Sequence, residues 1–291
     1  MTDVLDSRRT VATSASLSLA FLVAAVVVLA ATGSRLVLAQ AADSLVDVVA
    51  GSILVITVAV AARPADQDHP FGHRRAEPIG ALITAVLAGV LAFEVLRESV
   101  TSLVVGEAAH LDESVLALFC AKFVFKFLFM IFAARKIRGD RSPALRAAFV
   151  DARNDCVTTA SSVFGWLLAL RGMEWADAVL AIPVGLYVGW AGFHLARENL
   201  SLLMGEAPPE EVLEALAASA ASVPGVLEVR GVRAQHLGPE LHAEVTVLVP
   251  ENCTATEAHD IALAVRRQLE ERSGVGEVFV HIDTRAALPH A

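Results

Sequence analysis

Six long apolar runs dominate the first 200 residues of this chain. They lie at about 12–32, 36–61, 79–103, 113–134, 145–170 and 176–199. Each is near the ~20 residues a helix needs to cross a hydrocarbon core. Backbone in lipid must satisfy its own hydrogen bonds, so such runs fold as helices. The composition agrees. Of 291 residues 55% are hydrophobic and the mean hydropathy is +0.59, too apolar for a soluble chain of this length. A multi-pass membrane protein surrounded by lipid is the expectation. The first run is long enough to span and lacks a clear small-residue cleavage site, so no cleavable leader is expected.

Two acidic pairs interrupt this apolarity: Asp43 with Asp47, and Asp151 with Asp155. A spacing of i, i+4 puts both carboxylates of a pair on one helix face. An acidic side chain near the membrane centre costs roughly 2.5–3.5 kcal/mol on insertion scales, so four unpaired ones would cost on the order of 10 kcal/mol. A divalent cation held by the four carboxylates is the simplest compensation. Polar helix packing or a water-lined crevice is the metal-free alternative. Oxygen-only donor sets suit Mn²⁺, Fe²⁺, Mg²⁺ or Ca²⁺ better than Zn²⁺, which favours imidazole and thiolate. Lys122 and Lys126, also i, i+4, sit in the fourth run and are costly in lipid. They either face the same crevice and pair with acids or snorkel towards an interface. Glu94, Arg97 and Glu98 near one end of the third run are expected to pair locally.

Charge orients the runs. Arg8 and Arg9 precede the first; Arg63, Arg74 and Arg75 lie after the second; Arg135, Lys136, Arg138 and Arg141 follow the fourth. The opposite connections are short or acidic, as from Glu107 to Glu113. Positive segments stay inside, so both termini are expected in the cytoplasm. A single short chain with a brief N-terminus points to a prokaryotic plasma membrane.

After Pro208-Pro209 the pattern changes. Residues 209–222 and 254–272 read as amphipathic helices, with Thr254 or Thr256 as N-cap of the second. Residues 226–236, 241–249 and 276–283 read as strands. The chain is therefore divided into a transmembrane domain, 1–205, and a cytoplasmic α+β domain, 206–291, of order αββαβ. Residues 206–291 hold 6 Lys+Arg and 14 Asp+Glu, so 8 of the 9 net negative charges lie there. This argues against nucleic acid as a partner. Copies of such a module repel one another unless cations intervene. The three cysteines, Cys120, Cys156 and Cys253, lack any CxxC spacing, which excludes a thiolate zinc motif.

Two further groups have metal-ligand chemistry. The segment 63–75, RPADQDHPFGHRR, carries Asp66, His69 and His73, with Asp68 as a rival to Asp66. In the last strand His281 and Asp283 share a face, and His259 on the preceding helix could join them from the same or a second subunit.

With these motifs the chain resembles the cation diffusion facilitator family. The resemblance runs from Ala42-Asp43-Ser44-Leu45-Val46-Asp47, through His69-Pro70-Phe71-Gly72-His73-Arg74-Arg75-Ala76-Glu77, to Val280-His281-Ile282-Asp283. It implies six spans, a cytoplasmic ferredoxin-like domain, a homodimer, and export of divalent metal in exchange for protons. It assigns Asp43, Asp47, Asp151 and Asp155 to the transport site. Asp66, His69 and His73 match a loop site; His259, His281 and Asp283 match part of a cytoplasmic site. Arg75 falls where the family often has a basic residue at the dimer interface, and Met204 stands where its acidic partner is usual. Zinc-handling members commonly have His where this chain has Asp151, so the acidic set resembles the manganese-type branch. Arg230 and Thr246 stand at two positions that are often His in zinc members.

The expectation is alternating access around the four aspartates, moving Mn²⁺ out against protons, with metal also acting as a regulator of the cytoplasmic domain. Zn²⁺, Fe²⁺ or Co²⁺ as cargo is the alternative. A metal-gated channel and a non-transporting metal sensor are further readings. No phosphate loop, nucleophile elbow or nucleotide fingerprint is present, so neither ATP-driven pumping nor an enzyme is expected.

Overall fold

A computed structural model describes residues 2–32, 35–105, 113–138, 142–173, 175–238, 240–272 and 274–284. The basic residue Arg141 and the acidic connection 107–112 lie outside these. The chain divides into two compact units, Met1–Leu200 and Ser201–Ala291.

The apolar runs all become helices: α1 (Thr2–Thr32), α2 (Arg35–Ala61), α3 (Ala76–Val105), α4 (Glu113–Ile137), α5 (Pro143–Ala169) and α6 (Ala176–Leu203). Among the described residues five of them, all but α5, are long and apolar enough to cross a membrane. The exception has a plain cause: α5 carries Arg146, Asp151, Arg153 and Asp155. Helix α1 begins ten residues before the expected span, so Arg8 and Arg9 lie within it rather than ahead of it.

This bundle packs through small residues. Ala81, Ala85, Ala133, Ala144, Ala147, Ala148, Ala152 and Ala191 are buried with Leu54, Val58, Leu145 and Leu195. In lipid the hydrophobic effect does not drive helices together, and close backbone approach supplies the van der Waals contact instead. Gly165 of α5 shows how close: a Cβ there would lie 2.7 Å from the Asp177 Cα on α6. Large apolar side chains such as Val23, Val90, Phe93, Leu186 and Phe193 point outward, as a lipid-facing surface requires.

The start of α5 is fixed chemically. Ser142 is its N-cap, accepting from the Leu145 amide at 3.3 Å, with Pro143 in the first turn. The Ser142 hydroxyl also donates to Glu77 Oε2 of α3 at 2.6 Å, and both residues are buried. One hydroxyl thus caps the helix that carries Asp151 and Asp155 and ties it to α3. Arg146, one turn on, pairs with Glu198 of α6 at 2.8 Å. Elsewhere Arg97 pairs with Glu94 within α3, as expected.

The second unit runs α7 (Glu210–Ala221), β1 (Glu228–Leu237), β2 (Glu240–Leu248), α8 (Ala255–Glu270), β3 (Val275–Asp283), the expected αββαβ order. The sheet order is β1-β2-β3, with β1 antiparallel and β3 parallel to the central β2. A parallel pair needs a crossover, and α8 supplies it. Thr254 is the α8 N-cap, in a reciprocal capping box with Glu257. Val245, Val247, Val265, Leu269 and Val278 close the core beneath Leu216 and Ala220 of α7.

Candidate metal centre

The i, i+4 pairs of α2 and α5 converge inside the bundle. Asp43, Asp47 and Asp155 bring carboxylate oxygens within 4.8 Å of one another, close enough to share an ion. Asp151 reaches this group through Lys126. The site is graded in depth. The Asp47 side chain is 3% exposed and that of Asp43 is 34%.

Sequence spacing left Lys122 and Lys126 with two readings, and the structure selects the crevice. Lys122 Nζ pairs closely with Asp43 Oδ2 and lies 3.2 Å from Asp47 Oδ2. Lys126 Nζ pairs closely with Asp155 Oδ2, lies 3.1 Å from Asp151 Oδ2 and 3.4 Å from Asp47 Oδ2. Both lysines are buried. Gln40, which sequence reasoning missed, donates from Nε2 to Asp43 Oδ2 at 3.3 Å. The signal was present: residues 40, 43 and 47 share a helix face.

Asp47 Oδ2 and Asp155 Oδ2 are buried and, among the described residues, accept no well-aligned hydrogen bond. The ammonium groups of Lys122 and Lys126 contact these oxygens and occupy only part of their acceptor capacity. Buried acceptors of this kind are expensive to leave open. An oxygen-coordinated cation satisfies them.

A second cluster gathers in the connection between α2 and α3. Asp66 Oδ1 accepts from the Asp68 amide at 3.1 Å and the His69 amide at 2.7 Å, an Asx turn. These bonds decide between the rivals: Asp66, not Asp68, faces the imidazoles. His69 Nδ1 lies 3.2 Å from Asp66 Oδ1 and His73 Nε2 lies 3.3 Å from Asp66 Oδ2. The His69 amide holds the Asp66 carboxylate below its usual range, with a smaller contribution from the imidazoles. Gly72, at φ +78°, turns the chain so that His73 returns to Asp66. His73 Nδ1 lies 3.2 Å from the Pro64 carbonyl, which only accepts, so Nδ1 carries a hydrogen. A neutral ring would then set the Nε2 lone pair against a carboxylate. A proton or a metal ion on Nε2 removes that conflict, and imidazole backed by a backbone carbonyl is common in metal ligation.

The third expected group is arranged differently. His281 Nε2 lies 3.4 Å from Asp283 Oδ1, but Asp283 Oδ2 lies 3.4 Å from Arg230 Nη1. Arg230 sits at the irregularity in β1 between Val229 and Gly231. A guanidinium thus supplies positive charge beside the β3 carboxylate. His259 is exposed on α8. Among the described residues of one chain, His259, His281 and Asp283 do not form a three-ligand cluster.

The sequence matches the cation efflux transmembrane domain over residues 11–204 and the cation efflux protein cytoplasmic domain over residues 208–285. The chain belongs to the cation efflux family, whose members transport divalent metal cations rather than catalyse reactions. Among relatives, an uncharacterized transporter of Methanocaldococcus jannaschii is 30% identical over 82% of this chain and 85% of its own length. The cation-efflux pump FieF of Cronobacter sakazakii is 26% identical over 89% of this chain and 86% of its own. The manganese efflux system protein MneS of Bacillus subtilis is 25% identical, covering 86% of each chain.

Proposed function

We propose that this protein exports a divalent transition metal, Mn²⁺ foremost, in exchange for protons, by alternating access around Asp43, Asp47, Asp151 and Asp155. The observation that carries the reading is the convergence of buried carboxylate oxygens from α2 and α5, two of them lacking aligned donors. The donor set is oxygen only, which suits Mn²⁺. The relative named for manganese efflux agrees with that choice. Metal enters as carboxylates shed protons and leaves as they regain them, so affinity follows the local proton concentration.

Around this core the protein is a homodimer in a prokaryotic plasma membrane, with α5 as a sixth span and both termini in the cytoplasm. Residues 1–205 transport; residues 206–291 sense metal and dimerise. Asp66, His69 and His73 form a loop metal site. His259, His281 and Asp283 complete a regulatory site between subunits. Metal there reduces repulsion between two acidic modules. Zn²⁺ as cargo is a second reading, favoured by the imidazoles of the loop cluster.

The test is metal selectivity in proteoliposomes with an imposed pH gradient, wild type beside Asp151→His. Manganese flux in the wild type and a shift towards zinc in the variant support the oxygen-only selector. Equal or greater zinc flux in the wild type removes the manganese assignment.

A further inference from the structure

The chain has 23 Lys+Arg, of which only three are lysines: Lys122, Lys126 and Lys136. Two of these three lie inside the carboxylate cage. Both are nearly inaccessible, Lys122 at 3% and Lys126 at 1% exposure. Between them they contact all four aspartates, and they meet at Asp47 Oδ2. The face of α4 that carries them is thus spent on the site.

We propose that Lys122 and Lys126 are tethered counter-cations of the transport site: they hold the cage in the metal-free carrier, and a divalent ion binds by displacing them from shared oxygens. The proposal rests on the four-aspartate site being the transport site.

Three observations carry it. The first is charge. With all four carboxylates ionised, they and the two ammonium groups sum to −2, a deficit that one divalent ion fills on loading and protons fill on return. The empty carrier therefore buries two uncompensated charges instead of four, which matters in a low-dielectric medium.

The second is competition for the same atoms. Asp47 Oδ2 and Asp155 Oδ2 are buried oxygens within reach of a shared ion, and Lys126 Nζ contacts both. A small divalent ion sits about 2.0–2.2 Å from a carboxylate oxygen, so an ion taking these oxygens must share their charge with that ammonium or expel it.

The third is tethering. Each ammonium is fixed to α4 at a high effective concentration, so a free monovalent cation competes poorly with it. A doubly charged ion gains more from each carboxylate and displaces it. The lysines thereby set a selectivity of divalent over monovalent ions. They also keep metal affinity low enough for release.

This role differs from that of a plain structural ion pair. If the lysines merely hold α4 against α2 and α5, removing one lowers metal affinity or leaves it unchanged. If they compete with metal, removing one raises affinity.

The first experiment needs no variant. Wild-type protein labelled with ¹⁵N at lysine Nζ, in micelles, gives three side-chain signals. Lys136, bonded to Thr10 Oγ1 at 2.8 Å, is the internal reference. On titration with diamagnetic Cd²⁺ or Zn²⁺ the signals of Lys122 and Lys126 shift, and that of Lys136 stays. The second experiment is calorimetric binding of Mn²⁺ to Lys126→Met and Lys126→Arg. Lys126→Met binds at least tenfold tighter than wild type, and Lys126→Arg, which keeps the charge, does not. Binding lost in Asp155→Asn, with unmoved lysine signals and unchanged affinity in Lys126→Met, overturns the counter-cation role and leaves the site reading intact. With the loop and cytoplasmic sites removed by His69→Ala and His281→Ala in every protein compared, Mn²⁺ binding that survives in Asp155→Asn overturns the site reading itself.

Discussion

Replacing Ser142 with alanine should loosen the helix that carries half of the carboxylate cage. The serine has two jobs. It caps α5 by accepting from the Leu145 amide, and it donates to buried Glu77 Oε2 at 2.6 Å. Loss of a side-chain N-cap costs typically about 1 kcal/mol. Leaving a buried carboxyl oxygen without its donor costs about 1–3 kcal/mol. Glu77 keeps a further interaction, so the second figure belongs at its low end. The sum is about 2 kcal/mol, near thirtyfold in an unfolding equilibrium. Threonine keeps both the acceptor and the donor and should stay near wild type. Aspartate keeps the cap but sets a second carboxyl group against Glu77 and should be at least as damaging as alanine. The assay is denaturant unfolding in micelles followed by far-ultraviolet circular dichroism. Stability unchanged in Ser142→Ala, or Ser142→Thr as unstable as Ser142→Ala, would refute the reasoning.

Two further outcomes follow from close packing and from the loop. Gly165→Ala should destabilise by about 1–3 kcal/mol through overpacking, because its new Cβ meets the Asp177 backbone at 2.7 Å; Gly89→Ala, whose Cβ meets nothing within 4 Å, is the control and should not lose stability in the same unfolding assay. The Asx turn at Asp66 should be acid-resistant. Its carboxylate is held below the ordinary 3.8, so its contribution is present above that value and is lost only as pH falls through the lower folded value. Amide resonances of Asp68 and His69, both bonded to Asp66 Oδ1, should therefore titrate together at a pH below 3.8. Independent titration, or titration at a higher pH, would count against the turn.

Local chemistry was easiest to read from the sequence. Apolar runs longer than ~20 residues have one outcome in lipid, so α1–α4 and α6 were legible as such; the run at 145–170 also folds as a helix, α5, but its charged residues set it apart. The N-cap of α8 was legible only to within Thr254 and Thr256, and the capping box with Glu257 came from the structure; the alternation of β2 was legible from its period. The i, i+4 rule placed Asp43 with Asp47 and Asp151 with Asp155, and it placed Lys122 with Lys126. It could not say which neighbour the α4 face meets, because helix docking is a tertiary choice that periodicity does not encode. The lysines therefore kept two readings until the bundle was seen. Asp66 and Asp68 were equivalent by spacing; only the amide bonds of the turn separate them. Arg230 looked like a missing metal ligand. In the folded sheet it lies beside Asp283, a pairing between strands that are not adjacent in the sheet.

The most direct test of the account is Mn²⁺ uptake into acid-inside proteoliposomes, wild type beside Asp155→Asn, with the gradient present and collapsed. The account predicts uptake that requires the gradient and disappears in the variant. Uptake that persists in Asp155→Asn, or that ignores the gradient, would contradict proton-coupled transport through the four-aspartate site.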